Sequence, residues 1–136
     1  MIWMEQAFHH LEPRAKVLKQ IAKLLRPGGR VVFSEANALN PLLQLQLLRA
    51  RGFKMFYTVE TGRGKVIYGN ERVLSRGSLK RLLRGVGIEH VSSRYYRLFP
   101  ARAMFEPLFG LERRIPSSFW LAPIFTHYNL VGRKVA

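Results

Sequence analysis

Cysteine is absent from this chain of 136 residues, which excludes disulfides, thiolate metal sites and a cysteine nucleophile and is compatible with a reducing cytosol. No apolar run approaches the roughly 20 residues that span a bilayer. The first residues show no basic stretch leading into an apolar one, so no secretory leader is read there. A cytoplasmic protein, soluble or surface-associated, is expected. Acidic residues are scarce: 8 Asp and Glu stand against 23 Lys and Arg, a formal charge of +15. Such a field attracts polyanions, whether nucleic acid, anionic lipid or a phosphorylated substrate. The cations are nevertheless scattered, with short clusters at Arg49–Arg51, Lys80–Arg84 and Arg113–Arg114. No aromatic RNA-binding sequence or zinc finger accompanies them. A solvated basic surface is the plainer reading and an anion-binding face the sharper one.

What is present is α/β in pattern. The chain has one domain's length, without a linker, and 48% of it is hydrophobic, enough to bury about two-thirds of the unfolded surface in a complete fold. In EQAFHHLEPRAKVLKQIAKLLRPGGRVVFSEAN, from Glu5 to Asn37, Val17, Leu18, Ile21, Leu24 and Leu25 recur at helical spacing. Pro13 suits the first helical position, Arg26 the last turn, and Pro27-Gly28-Gly29 the stop. Val31–Phe33 is an unbroken apolar run, the mark of a strand covered on both faces. Parallel sheets bind ligands beyond the carboxyl ends of their strands. That places Ser34, Glu35, Ala36 and Asn37 beside a pocket, together with Trp3–Gln6 if Met1–Met4 ends a neighbouring strand.

Asn40-Pro41 starts a second helix and Gly52 stops it. Its leucines at 42, 43, 45, 47 and 48 spread around the axis, so it is either buried, the reading preferred here, or laid over an apolar ligand. Residues 53–70 read as a hairpin, in which Thr61–Lys65 is a simple turn or, less plainly, a phosphate cradle. Leu79, Leu82, Leu83 and Val86 mark a third helix, capped by Ser75 or Ser78 and stopped by Gly85 and Gly87, before a strand from Ile88 to about Leu98. Gly85-Val86-Gly87 follows a helix C-terminus, where the dipole repels anions, so it is no nucleotide loop. Phe99–Pro123, with Pro100, Pro107, Pro116 and Pro123, admits only short helices, and Ile124–Arg133 reads as a last strand.

In this order the elements resemble the second half of the class I S-adenosylmethionine-dependent methyltransferase domain. HHL, LRPGGR and the strand after it look like the end of the family's fourth strand, the following helix and the fifth strand. ERVLSRGSLKRLLRGVGIEHVSSRYYRLFP looks like the helix and strand that come sixth. FTHYNLVGRK is similar to the antiparallel seventh strand, which in the family inserts between the fifth and sixth. The family's GxGxG loop and the acidic residue ending its second strand have no counterpart here. The resemblance thus implies a partial class I methyltransferase domain over residues 1–136: the C-terminal half of a Rossmann-like sheet, with a stub of the fourth strand and with helices on both faces.

For function, the resemblance implies S-adenosylmethionine as cofactor and a small-molecule or lipid-like methyl acceptor. Met4, Glu5 and Gln6 would line the cofactor. His9, His10 and Glu35 would be the candidates for catalysis, and Glu35, Asn37, Tyr95, Phe105 and Trp120 would meet the substrate. Alone, the half-domain is expected to be inactive, because in-line methyl transfer depends on holding the cofactor rigidly. Plainer roles stand beside these: capping or packing for the histidines, a bond to backbone N–H groups for Glu35, and core or lid for the aromatics from Phe99 to Phe125. No metal is expected, because adjacent side chains such as His9 and His10 point apart on a helix or strand and no third ligand lies at a familiar spacing. A non-catalytic basic module that binds nucleic acid or an anionic membrane is the alternative. Association through the unpaired sheet edge before Gln6 is expected as well.

Overall fold

A computed structural model describes residues 1–99 and 103–135; Pro100 lies outside them. Among the described residues are six strands and four α-helices. Strands β1 (Ile2–Glu5), β2 (Arg30–Ala36), β5 (Ile88–Tyr96) and β6 (His127–Lys134) form one sheet in the order β1-β2-β6-β5, and β3 (Phe56–Thr61) pairs with β4 (Gly64–Gly69) as a separate hairpin. β1 runs parallel to β2, while β6 is antiparallel to both of its neighbours. The last strand of the chain has therefore inserted between β2 and β5, as the resemblance implies.

Helices α1 (Arg14–Leu24), α2 (Pro41–Arg51), α3 (Arg76–Arg84) and α4 (Glu106–Glu112) complete the element order. Leu18, Ile21 and Leu25 from α1 and its end, and Leu79 and Leu83 from α3, pack with Val31, Phe33, Leu130 and Ile88 in one buried cluster. These strand residues share a face because side chains alternate across the sheet, and the register sets Phe33 beside Leu130. Gly132 is required there: a Cβ on it would lie 2.6 Å from Ile88 Cγ2. The opposite face carries Arg94, Tyr96 and Asn129 and meets Phe109 and Glu112 of α4, so helices lie on both sides.

Several expectations change in detail. α1 ends at Leu24, so Arg26 falls beyond the helix and Lys23 holds the last turn, and Leu24 is exposed. Ser75, rather than Ser78, is the cap of α3, its Oγ accepting from Ser78 N at 3.1 Å. Ile124 belongs to a 3-10 turn over Ala122–Ile124 that precedes β6. The larger correction concerns α2. Asn40 caps it, accepting from Leu43 N at 2.7 Å, yet none of its residues is buried. Its helix signals are local, and they form the element whether or not another layer covers it. The neighbouring hairpin is similarly open, with Phe56, Tyr57, Val59 and Ile67 exposed.

Candidate functional site

The carboxyl ends of β1 and β2 lie side by side, Glu5 in register with Ser34. Past Glu5 the chain turns sharply at Gln6 (φ 48°), whose N–H donates to Ser34 O at 2.9 Å. The next residues close a 3-10 turn, Phe8–His10, over the end of β2. Glu35 anchors it: Oε1 accepts from the backbone N–H groups of Ala7 (3.2 Å) and Phe8 (2.8 Å), and Oε2 accepts from His9 Nδ1 at 2.6 Å. Both His9 and Glu35 are buried.

The turn brings the two histidines together. Each ring is held by its own acceptor, His9 by Glu35 and His10 by Gly69 O, and the two ring centroids stand 4.2 Å from one another. The expectation that adjacent rings diverge fails for this pair. His10 Nδ1 donates to Gly69 O at 3.2 Å, at the end of the hairpin. From just beyond, Glu71 places a carboxylate oxygen 3.4 Å from His9 Nε2 and another 3.6 Å from His10 Nε2. Sequence spacing gives no sign of this partner, because the hairpin that carries it returns only in three dimensions, through the Leu11–Tyr68 bridge and the Glu12–Arg72 ion pair.

Two clefts open on the same side. One, of about 470 Å³, lies between α4 and the sheet and is lined by Arg94, Tyr96, Arg97, Phe99, Phe109 and Asn129. The other, of about 380 Å³, runs beneath α2 past Leu42, Leu43, Phe99, Thr126 and His127. Tyr96 OH and Ser34 Oγ, 2.7 Å apart, tie β5 to the end of β2. The RYYRLF segment supplies much of the lining, and its Arg and aromatic content was the available signal in the sequence.

The residues expected at the site do not form one constellation. Met4 sits on the α1 side of the sheet in a groove with Ile2, Val17 and Ile21, whereas Glu5 is exposed on the other side. Both oxygens of Glu35 are occupied within the protein, as described. Asn37 is fully buried and its side chain is consumed by Ala122 O, Phe125 O and Leu39 N. Tyr95 is buried under Arg76, whose guanidinium lies 4.3 Å above its ring. Phe105 stacks on Phe99. Trp120 is 87% exposed, its ring edge-on to Phe119. The Thr61–Lys65 segment is a plain hairpin turn, closed on itself by Thr61 Oγ1, which donates to Gly64 O and accepts from Arg63 N.

His127, in the second cleft, is held neutral. Burial first, and then the Arg97 charge, lower its pKa to about 4. Between that value and the unfolded value of about 6.5 the unfolded chain binds more protons, so stability rises with pH across the window and is lost as pH falls through it. The urea midpoint is therefore expected to be lower at pH 5 than at pH 7.5, and His127→Gln to flatten that difference. An unchanged slope in the variant would remove His127 as the cause.

Residues 1–33 match the family model described as Methyltransferase domain. No curated protein matches the chain. Among solved structures, the chain is similar in fold to an S-adenosylmethionine-dependent methyltransferase from Mesorhizobium loti, at 12% identity and a TM-score of 0.54, with 97% of this chain and 60% of that one covered. A SAM-dependent methyltransferase from Methanosarcina mazei gives 14% identity and 0.52, covering 98% and 57%. The CcbJ methyltransferase of Streptomyces caelestis gives 15% and 0.50, covering 98% and 56%. The chain thus spans under two-thirds of the length of each of these structures.

Proposed function

We propose that this chain, which carries the class I methyltransferase fold over its sheet and a matched methyltransferase-domain segment at residues 1–33, forms the acceptor-side half of an S-adenosylmethionine-dependent methyltransferase acting in the cytoplasm. The observation that carries the reading is the sheet itself, β1-β2-β6-β5 with the final antiparallel strand inserted. When bound, the cofactor supplies an electrophilic methyl group on a sulfonium. The residues present fit one wall of its site. Glu5 is exposed and Gln6 turns the backbone at the carboxyl end of β1, where ligands of such sheets lie. Among the described residues no strand leads through a glycine-rich turn into a helix, so the glycine-loop cradle for the nucleoside and methionine would have to come from another segment.

The clefts supply the acceptor side. Phe99 and Phe109 offer apolar contact while Arg94 and Arg97 attract negative charge, which suits a small or lipid-like acceptor with an acidic group. The exposed Leu42, Leu45, Leu48 and Phe53 next to Arg49 and Arg51 favour peripheral contact with an anionic membrane from which a lipid-like acceptor is taken.

Titration calorimetry tests the reading. The 136-residue chain is expected to show no saturable binding of S-adenosylmethionine or S-adenosylhomocysteine. Joined to an amino-terminal segment that supplies a GxGxG loop, it should bind them, and Glu5→Ala or Gln6→Ala should then weaken binding. Micromolar affinity in the chain alone would overturn the half-site reading. Failure of the joined, folded protein to bind would overturn methyl transfer.

A further inference from the structure

We propose that His9, His10 and Glu71 form a binding site for a divalent first-row transition ion of the zinc type. One ligand atom from each of the three residues lies within 4.8 Å of the other two, His9 being buried and the other two half-buried.

The protons of the two rings are set by their other nitrogens. A carbonyl oxygen only accepts, so His10 Nδ1 must carry the hydrogen it gives to Gly69 O, and the Glu35 carboxylate fixes the His9 proton on Nδ1 in the same way. Both Nε2 atoms then present bare lone pairs to the Glu71 carboxylate. Three electron-rich groups repel unless something positive stands between them, either additional protons or one cation. Distance separates the two. A charge-assisted N–H···O bond closes to about 2.7–2.9 Å, whereas ligands about 2.0–2.1 Å from a tetrahedral zinc stand roughly 3.3 Å from one another. The spacings of 3.4 Å from His9 Nε2 to Glu71 Oε2 and 3.6 Å from His10 Nε2 to Glu71 Oε1 are too long for the first case and fit a cation held by the carboxylate between the two rings.

The outer contacts are those of a metal site. Ligating imidazoles ordinarily give their second N–H to a carboxylate or a backbone carbonyl, and here one does each. Glu71 is held in the left-handed region at φ 52°, a strained conformation that the surroundings must enforce. Arg51 Nη1 donates to its carbonyl at 2.9 Å and to that of Asn70 at 2.6 Å. Gly69 allows the approach of the hairpin, because a Cβ there would come within 2.6 Å of His9 O.

Two imidazole nitrogens and one carboxylate suit Zn(II), Co(II), Ni(II) or Fe(II) and not the all-oxygen preferences of calcium or magnesium. Three protein ligands leave a position open, which the half-exposed His10 and Glu71 place toward solvent. The inference does not rest on methyl transfer.

Calorimetric titration of the untagged, chelator-treated chain with zinc chloride is the test, with cobalt(II) as a spectroscopic stand-in. One equivalent should bind, with cobalt giving the strong visible absorption of a low-coordinate site, and zinc should raise the melting temperature. His10→Ala and Glu71→Gln, each confirmed folded by circular dichroism, should lose more than the roughly 10- to 100-fold in affinity that removal of an outer partner causes. His90→Ala, at a histidine outside the cluster, should bind as the unaltered chain does. Absence of saturable binding, or unaltered affinity in either folded variant, would overturn the proposal.

Discussion

Replacing Glu35 by alanine is expected to destabilise the fold by about 2–6 kcal/mol, the cost of stranding two buried donors at roughly 1–3 kcal/mol each. Glu35 is 3% exposed and satisfies three donors at once: the N–H groups of Ala7 and Phe8, and His9 Nδ1. Phe8 and His9 are themselves buried, so their donors would be stranded, at roughly 1–3 kcal/mol each, and the 3-10 turn would lose its anchor to β2. Glu35→Gln separates charge from shape. Its carbonyl oxygen can keep the two backbone bonds, but the amide would point a donor at His9 Nδ1 and push the ring proton to Nε2. A cost of about 1 kcal/mol, that of one ordinary hydrogen bond, is expected, along with weaker zinc binding because Nε2 no longer offers a lone pair. Chemical denaturation midpoints decide the first part. An alanine variant within about 1 kcal/mol of the unaltered chain, the net worth of a single bond, would mean that Glu35 does not anchor the turn.

The strand on which Glu35 sits was legible in the sequence, and so was its plainer role of accepting from backbone N–H groups, though the donors come from the loop after β1 rather than from the loop that follows Glu35. Val31–Phe33 announced β2 because a buried strand needs little more than an apolar run between stops, and α1 and α3 announced themselves through helical spacing with a stop or a cap. The inserted position of β6 came from resemblance, since no local pattern tells a strand which neighbours it will take. α2 marks the limit from the other side. A proline-led cap and all-round leucines specify a helix but say nothing about what lies over it, and Leu42 is 70% exposed.

The site was harder to read because its contacts join segments far apart in sequence. Glu71 meets His9 and His10 only after the hairpin folds back, and the acceptors that hold the two rings, Glu35 and Gly69 O, lie 26 and 59 residues away in sequence. Glu35 and Asn37 were singled out correctly as polar residues at a strand end. Whether such a group turns toward a ligand or into the protein depends on which orphan backbone groups lie within reach. Here Ala7 and Phe8 reach Glu35, and the turn before β6 reaches Asn37.

Asn37 is the second position where a large effect is expected. It has no exposed surface, its Nδ2 donates to Ala122 O and Phe125 O at 2.9 Å each, and its Oδ1 accepts from Leu39 N at 3.1 Å. The side chain thereby ties the end of β2 to the turn that leads into β6. Asn37→Leu keeps the volume and removes every bond. Ala122 O retains the N–H of Phe125, so the loss falls mainly on Leu39 N and Phe125 O, and a destabilisation of about 2–4 kcal/mol follows from two stranded groups. Asn37→Asp is more informative, since it keeps the shape and the acceptor while setting a carboxylate against two carbonyl oxygens. Burial and those oxygens disfavour the charged form, so its folded pKa should rise above the unfolded value of about 3.9. A raised pKa gives stability that is present below the unfolded value and lost as pH climbs through the folded one. Relative to the unaltered chain at each pH, Asn37→Asp should therefore be least destabilised near pH 4 and progressively worse toward neutrality, opposite in sign to the slope expected from His127. A penalty that does not change with pH would show that the carboxylate finds water or a cation at this position, and that Asn37 is less enclosed than its contacts require.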